Sequence, residues 1–270
     1  MKNKLGIEIF EGFGISYPEY EVITPQTKKS YTIRSLNVSE EEVLKGSMVT
    51  PSKLPRHIAE VLWKCIVKKP DEIKTFDDFI NCVTIDDRDA LLYGLYVSTY
   101  KDVQNYTMRC DCGFENLVKV NMENCLKIDF WDDSKGSILK YYPKVDFKIF
   151  DGVHCFLKIP SLKDEIVTSE KYTFNDNQKR NLAIQLLRIQ KFTQDPNQKL
   201  PQGEEICELD NIIKAYNSLP SNDRKLINEK YNEEFSNYQV KVLPKVKCQK
   251  CGKVQEVEID IYQQFFRSLF

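Results

Sequence analysis

Two short cysteine pairs, set far apart in the chain, constrain this sequence more than any other feature. Cys110 and Cys112 lie in MRCDCGFENLVKVN, and Cys248 and Cys251 lie in VKCQKCGKVQEVEID. Each pair ends in Cys-Gly and leads into an alternating apolar strand. Four thiolates in two short-spaced pairs are the ligand set of a closed tetrahedral zinc site. The sequence therefore predicts one structural Zn2+ per chain, held by Cys110, Cys112, Cys248 and Cys251. Two distant parts of the chain must fold back onto each other before such a site exists. Cys-x-x-Cys-Gly at 248–251 has standard knuckle spacing, with a glycine that lets backbone N–H groups turn toward a thiolate. Cys-x-Cys-Gly at 110–112 is one residue short. That leaves two readings: a compressed knuckle completing the four-cysteine site, or a degenerate half in which His154 or Cys125 serves as a ligand.

Composition narrows the class. With 270 residues, 41% apolar and 29% charged, the chain is long enough for one large domain or two ordinary ones, and is neither disordered nor fibrous. A net charge of -1 supplies no basic excess for seeking nucleic acid or an acidic membrane surface. The start, MKNKLGIEIFEGFGI, fails as a secretory signal because Glu8 and Glu11 interrupt its apolar run. With nine cysteines, an odd number, this argues for a reducing compartment and for thiols rather than disulfides. No segment approaches a membrane span.

The order of elements predicts a duplication. From Tyr20 the chain reads as strand, Pro-containing turn and strand, then a helix opened by Ser39 and Glu42 at capping-box spacing. Pro55 to Lys68 reads as an amphipathic helix, followed by a short helix near Thr75 to Ile80. A longer helix capped by Thr84 and Asp87 leads into the strand NYTMR and the first cysteine turn. The second half replays this order. Val145, Phe147 and Ile149 alternate, Asp151-Gly152 makes a turn, and Cys155, Leu157 and Ile159 alternate on the return. Ser161 opens a helix, RNLAIQLLRIQKF and ICELDNIIKAYNSL supply two more, and Ser221 starts another with Leu226, Ile227, Lys230, Tyr231 and Phe235 on one face. The strand VKVLPKVK and the second cysteine turn close the series. The offset between copies grows from Ser39/Ser161 to Asp87/Asp223 and then barely changes to Cys110/Cys248. One insertion explains this, most simply the loop around Asp195 to Gly203. The expected fold is α+β: two pseudo-repeated hairpin-plus-helices units, residues 1–125 and 126–270, joined by a zinc-ribbon-like site into one intimate unit.

Other candidate residues carry little chemistry. Cys65, Cys82, Cys125, Cys155 and Cys207 sit in apolar or helical patterns, where free cysteine is a small hydrophobe. His57 and His154 read as ordinary surface histidines. Asp86, Asp87 and Asp89 occupy a first helical turn, where negative charge offsets the dipole. No phosphate-binding glycine loop, dinucleotide fingerprint or nucleophile elbow occurs, so no catalytic residue is assigned and the chain reads as a non-enzyme. Phe265, Phe266, Leu269 and Phe270 form an aromatic cluster at the end. It either covers the chain's own core or anchors in a partner.

These residues resemble the baseplate hub assembly proteins of T-even-type contractile bacteriophage tails. The likeness lies in IRSLNVSEEEVL, in DDRDALLYGLYVSTY followed by the first cysteine turn, in FKIFDGVHCFLKIP with its capped helix, and in the last knuckle with its FF tail. It spans most of residues 20 to 270. The Cys-x-Cys turn and the helical segment from Asn175 to Leu219 depart from it. The resemblance implies a viral, non-enzymatic component or assembly factor of the central hub, located in the virion tail or in the host cytoplasm during assembly. It implies other tail and baseplate hub proteins as partners, with tube and tape-measure proteins as further candidates, and neither nucleic acid nor membrane. The chief alternative is a zinc-ribbon nucleic-acid binder, favoured locally by the lysines of KVLPKVKCQKCGK but not by the neutral chain. A hydrolase with an unfamiliar site is a third reading.

Overall fold

The computed structural model describes residues 16–100, 104–147, 152–172, 177–194 and 205–270. It opens with the antiparallel hairpin β1 (Glu19–Ile23) and β2 (Ser30–Arg34), in which Tyr20 faces Ile33 and Val22 faces Tyr31. Val22, Tyr31 and Ile33 are buried, so the alternating pattern gives one core face. Helix α1 (Val38–Ser47) starts at Asn37 rather than Ser39. Asn37 accepts from the Glu40 N–H and Glu40 accepts from the Asn37 N–H, while Ser39 only donates its hydroxyl to Asn37. Glu40 is the stronger box partner because Arg34 also holds it with two hydrogen bonds of 2.7 and 2.9 Å.

Helix α2 (Leu54–Cys65) stops short of Lys68, and the chain passes directly into β3 (Ile66–Lys68), which pairs with β2. Ile66 and Val67 are β-branched, and the ladder beside β2 satisfies backbone groups that a longer helix would also have used. Helices α3 (Phe76–Cys82) and α4 (Ile85–Thr99) follow, capped by Thr75 and Thr84. Ala90 to Val97 of α4 are buried without a break, so it is the central helix of the first core rather than a surface one. The hairpin β4 (Gln104–Arg109) and β5 (Glu115–Val120) carries the first cysteine turn, and β6 (Leu126–Ile128) follows.

The second half starts with β7 (Lys144–Asp146) and β8 (Val153–Leu157). Ile149 and Asp151 of the expected turn lie outside the described residues. Helix α5 (Leu162–Lys171) has a capping box between Ser161 and Asp164. After α6 (Asn177–Leu186) the chain again enters a strand, β9 (Ile189–Gln194), which pairs with β8. The expected helix RNLAIQLLRIQKF thus ends at Leu186, and Asn175 to Leu219 is not one helical stretch. The loop around Asp195 to Gly203 falls outside the described residues.

Helices α7 (Leu209–Ser218) and α8 (Ser221–Phe235) lead to β10 (Val240–Val242), β11 (Lys245–Lys247), β12 (Val254–Glu256) and α9 (Ile261–Ser268). The single expected strand VKVLPKVK is split at Pro244, which has no N–H for a ladder. β10 pairs with β6, whereas β11 pairs with β12.

Two three-stranded sheets result, β1-β2-β3 and β7-β8-β9, each antiparallel and in chain order. One core gathers around α4 and a second around Trp131, Leu157, Leu186 and Phe235. The first core also takes in Leu162 and Ile166 of α5 and Ile261, Phe265, Phe266 and Leu269 at the C-terminal end. At the starts of α4 and α5, Ile85 N–H donates to Pro160 and Leu162 N–H donates to Val83. Arg88 on α4 reaches Glu165 on α5 at 2.7 Å and lies over the ring of Tyr262 on α9.

Phe265 is fully buried in this junction. Phe265→Ala is expected to lower unfolding free energy by about 3–5 kcal/mol, measured by urea denaturation; a loss under about 1 kcal/mol would show that α9 does not seal the core.

Candidate metal centre

Each cysteine pair occupies the tip of a two-stranded hairpin. In the first, Arg109 pairs with Glu115, leaving residues 110–114 as the connection. In the second, Lys247 pairs with Val254, leaving residues 248–253. The same backbone bond opens both loops: Cys110 N–H donates to Phe114 O at 2.9 Å and Cys248 N–H donates to Lys253 O at 2.8 Å. The first loop is one residue shorter, which accounts for its Cys-x-Cys spacing without a missing ligand. Gly113 and Gly252 follow the second cysteine of each loop with φ of 81° and 73°, a left-handed turn that side chains disfavour.

The two tips meet and interleave their sulfurs. Cys110 Sγ lies 3.6 Å from Cys251 Sγ, and Cys112 Sγ lies 3.7 Å from Cys248 Sγ. All four Sγ atoms fall within 4.8 Å of one another. A disulfide requires about 2.0 Å, so these are free thiols drawn into one cluster. Zn–S bonds of about 2.3 Å in a tetrahedron place sulfurs about 3.8 Å apart, close to both short contacts. His154 and Cys125 are not members of the group. His154 instead contacts Asp146 at 2.7 Å on the β7–β8 hairpin, and Cys125 donates to Asn121 O.

Cys110 and Cys248 are buried, whereas Cys112 and Cys251 are exposed at the rim. Asn116 on β5 is buried beneath them. Its amide donates to Cys248 Sγ at 3.6 Å, and its carbonyl accepts from Gln249 N–H at 2.8 Å, so one side chain fastens the second loop to the first hairpin. Lys253 and Asp111 form an ion pair across the rim. The Cys248 thiol is pulled down to about 6, chiefly by the Cys251 N–H; burial opposes this, and the Lys250 N–H and the Asn116 amide reinforce it. The Cys112 N–H favours the Cys110 thiolate too, yet burial and the three neighbouring thiols outweigh it and push that thiol up to about 12. Four sulfurs this close cannot all ionise unless a cation shares their charge. Among the described residues the cluster is a soft donor set with no carboxylate or imidazole, suited to fixing structure rather than to activating water.

Elsewhere the acidic run at the start of α4 does more than offset a dipole. Asp87 is buried and accepts from Gln26 N–H at 2.8 Å, Thr27 N–H at 3.2 Å and the Thr27 hydroxyl at 2.6 Å, pinning the β1–β2 turn. His57 is half-buried, with Nδ1 2.5 Å from the Ser47 hydroxyl. Of the terminal aromatic cluster, Phe265, Phe266 and Leu269 are buried in the first core, and Phe270 is 82% exposed. Asn116 went unrecognised in the sequence. Its signal was an inverted alternation in ENLVKV, with a polar residue at an inward position and Leu117 pointing outward.

Small sheets and helices joined at a four-thiol cluster define the class as α+β with a cysteine-cluster joint. Within it, the chain belongs to the family described as T4 bacteriophage base plate protein, which it matches over residues 17–267. No curated protein and no solved structure matches it. Membership gives the chain a structural role in the phage baseplate, as part of the virion tail alongside other tail proteins, and implies a non-enzymatic one. No helix among the described residues is long and apolar enough to cross a membrane.

Asn116→Ala removes both ties to the second loop and leaves buried groups unpaired. It is expected to cost about 1–3 kcal/mol in stability, read by thermal and urea melts; an unchanged protein would show that the loops are held without it.

Proposed function

We propose that this protein is a zinc-stapled adaptor in the hub of a contractile phage baseplate, acting as a hub component or as a factor in hub assembly. The carrying observation is the convergence of four cysteines from two hairpins 136 positions apart in a chain of the baseplate family. One Zn2+ per chain, ligated by Cys110, Cys112, Cys248 and Cys251, joins the hairpins in a zinc-ribbon-like arrangement. Structural zinc sites in small peptides contribute about 10–16 kcal/mol, comparable with the whole stability of an ordinary domain at about 5–15 kcal/mol. Such a joint keeps its strength in a reducing host cytoplasm, where disulfides do not persist.

The halves 1–125 and 126–270 are two copies of one hairpin-and-helices unit, merged into a single body. Supporting this are the matching sheet orders, the helix-to-strand passages at β3 and β9, and the capping boxes at Asn37 and Ser161. The packing of α5 and α9 into the first core supports the merger. The partners are other tail and hub proteins, tube and tape-measure proteins included. Because Phe265, Phe266 and Leu269 fill the core, Phe270 is the residue of the terminal cluster left for a neighbour.

Protein purified under reducing conditions is expected to carry one zinc per chain by elemental mass spectrometry, and Cys248→Ser with Cys251→Ser to lose it together with a large part of the thermal stability. Iron in its place, or no metal in fresh reduced protein, would overturn the zinc reading.

A further inference from the structure

The two cysteine hairpins leave a cavity of about 390 Å³ beside the metal centre. It is lined by consecutive residues, 117–120 of β5 with Asn121 and 245–247 of β11 with Pro244, rather than by every second residue. Consecutive lining means that strand edges, not one sheet face, bound the space. β5 pairs only with β4, and β11 only with β12, so among the described residues each keeps an unpaired outer edge. Unpaired edges in a folded protein are templates for another strand. At one end the cavity is bounded by the Asn116–Gln249 bond and at the other by the bond from Leu243 N–H to Cys125 O.

The charge of the cavity selects its occupant. Lys119, Lys245 and Lys247 line it, and among the described residues no carboxylate does. Lys119 and Lys247 have no carboxylate partner among the described residues, and Lys245 reaches only Glu256 at 3.6 Å on the far side of its hairpin. That contact shows the chemistry β11 already accepts: β12 lays Glu256 opposite Lys245 in an antiparallel ladder. Leu117 adds an apolar contact, 66% exposed on the outward-facing side of β5 that also carries Glu115 and Lys119. Among the described residues no aromatic side chain lines the cavity, so they offer none of the stacking platforms that single-stranded nucleic acid uses.

We infer that this cleft binds an extended acidic segment of a neighbouring tail protein, which adds as a strand to the outer edge of β5 with its carboxylates on Lys119, Lys245 and Lys247. The inference rests on the reading of the chain as a baseplate adaptor and names a surface for its partner. It depends on the edge and its charge, not on the identity of the metal.

The test uses the full chain and a fluorescent octapeptide of alternating glutamate and valine, with a lysine–valine octapeptide and a twenty-nucleotide oligothymidine as competitors. The acidic peptide is expected to bind by fluorescence anisotropy, to slow amide hydrogen exchange at residues 117–121, and to weaken at least tenfold in the double variant Lys119→Glu, Lys247→Glu. Those two lysines are solvent-facing, so melting temperature and zinc content of the variant should match the parent. Binding that ignores the charge reversal, protection confined to another strand, or displacement by oligothymidine but not by unlabelled acidic peptide would overturn it. No peptide binding to zinc-loaded, folded protein would remove this surface alone; peptide binding to a chain without zinc would remove the metal reading and leave the surface.

Discussion

Everything in this structure turns on the meeting of two hairpin tips at four sulfurs. The chain between Cys112 and Cys248 contains nearly all of the second core, so bringing its ends together closes a very long loop. Loop-closure entropy rises only with the logarithm of length, and a closure of this size costs on the order of 4–5 kcal/mol. Direct contacts between the hairpins include one buried asparagine, the rim carboxylate Asp111 with Lys253 and Gln255, and the sulfurs themselves. Without a shared cation the thiols also compete, since ionising one raises the cost of ionising the next. A metal reverses that sign, turning four groups that would repel as thiolates into the strongest tie in the region.

The rest of the fold brings the tips within reach. Pairing of β6 with β10 lays the strand after the first hairpin against the strand before the second. The adjacent starts of α4 and α5, with Arg88 between Glu165 and Tyr262, fix the helical layers of the two halves in one relation. Helix α9 then returns to the first core directly after the second hairpin. The cysteine loops therefore approach from strands already anchored on either side, and the short segment from Val257 to Asp260 is all that separates the second hairpin from buried Ile261.

Much of this was legible in the chain because the signals were chemical and local. Cysteine spacing located the joint, Ser161 and Thr84 marked helix starts through their own side chains, and strand alternation found both opening hairpins. What escaped the sequence depends on distant partners. β3 and β9 continue helices whose last apolar residues fit a helical face as well as a strand, and only pairing with β2 and β8 decides between them. Ser39 and Asn37 each precede a glutamate by three residues, and the choice falls to Asn37 because Arg34 from the neighbouring strand holds Glu40. Asp87 resembled a helix-dipole residue until the turn at Gln26 and Thr27 came to rest on it. Asn116, the polar anchor beneath the sulfurs, lacks a motif of its own.

For a baseplate protein such a joint has a mechanical sense. Two small hairpins would each be marginal alone, yet clasped together they stiffen one another without enlarging the core. The most direct test is zinc-edge X-ray absorption on the purified, reduced protein. The account predicts four sulfur scatterers at about 2.3 Å and no light-atom neighbour in the first coordination sphere. A spectrum with nitrogen or oxygen ligands, or with two sulfurs in place of four, would contradict it.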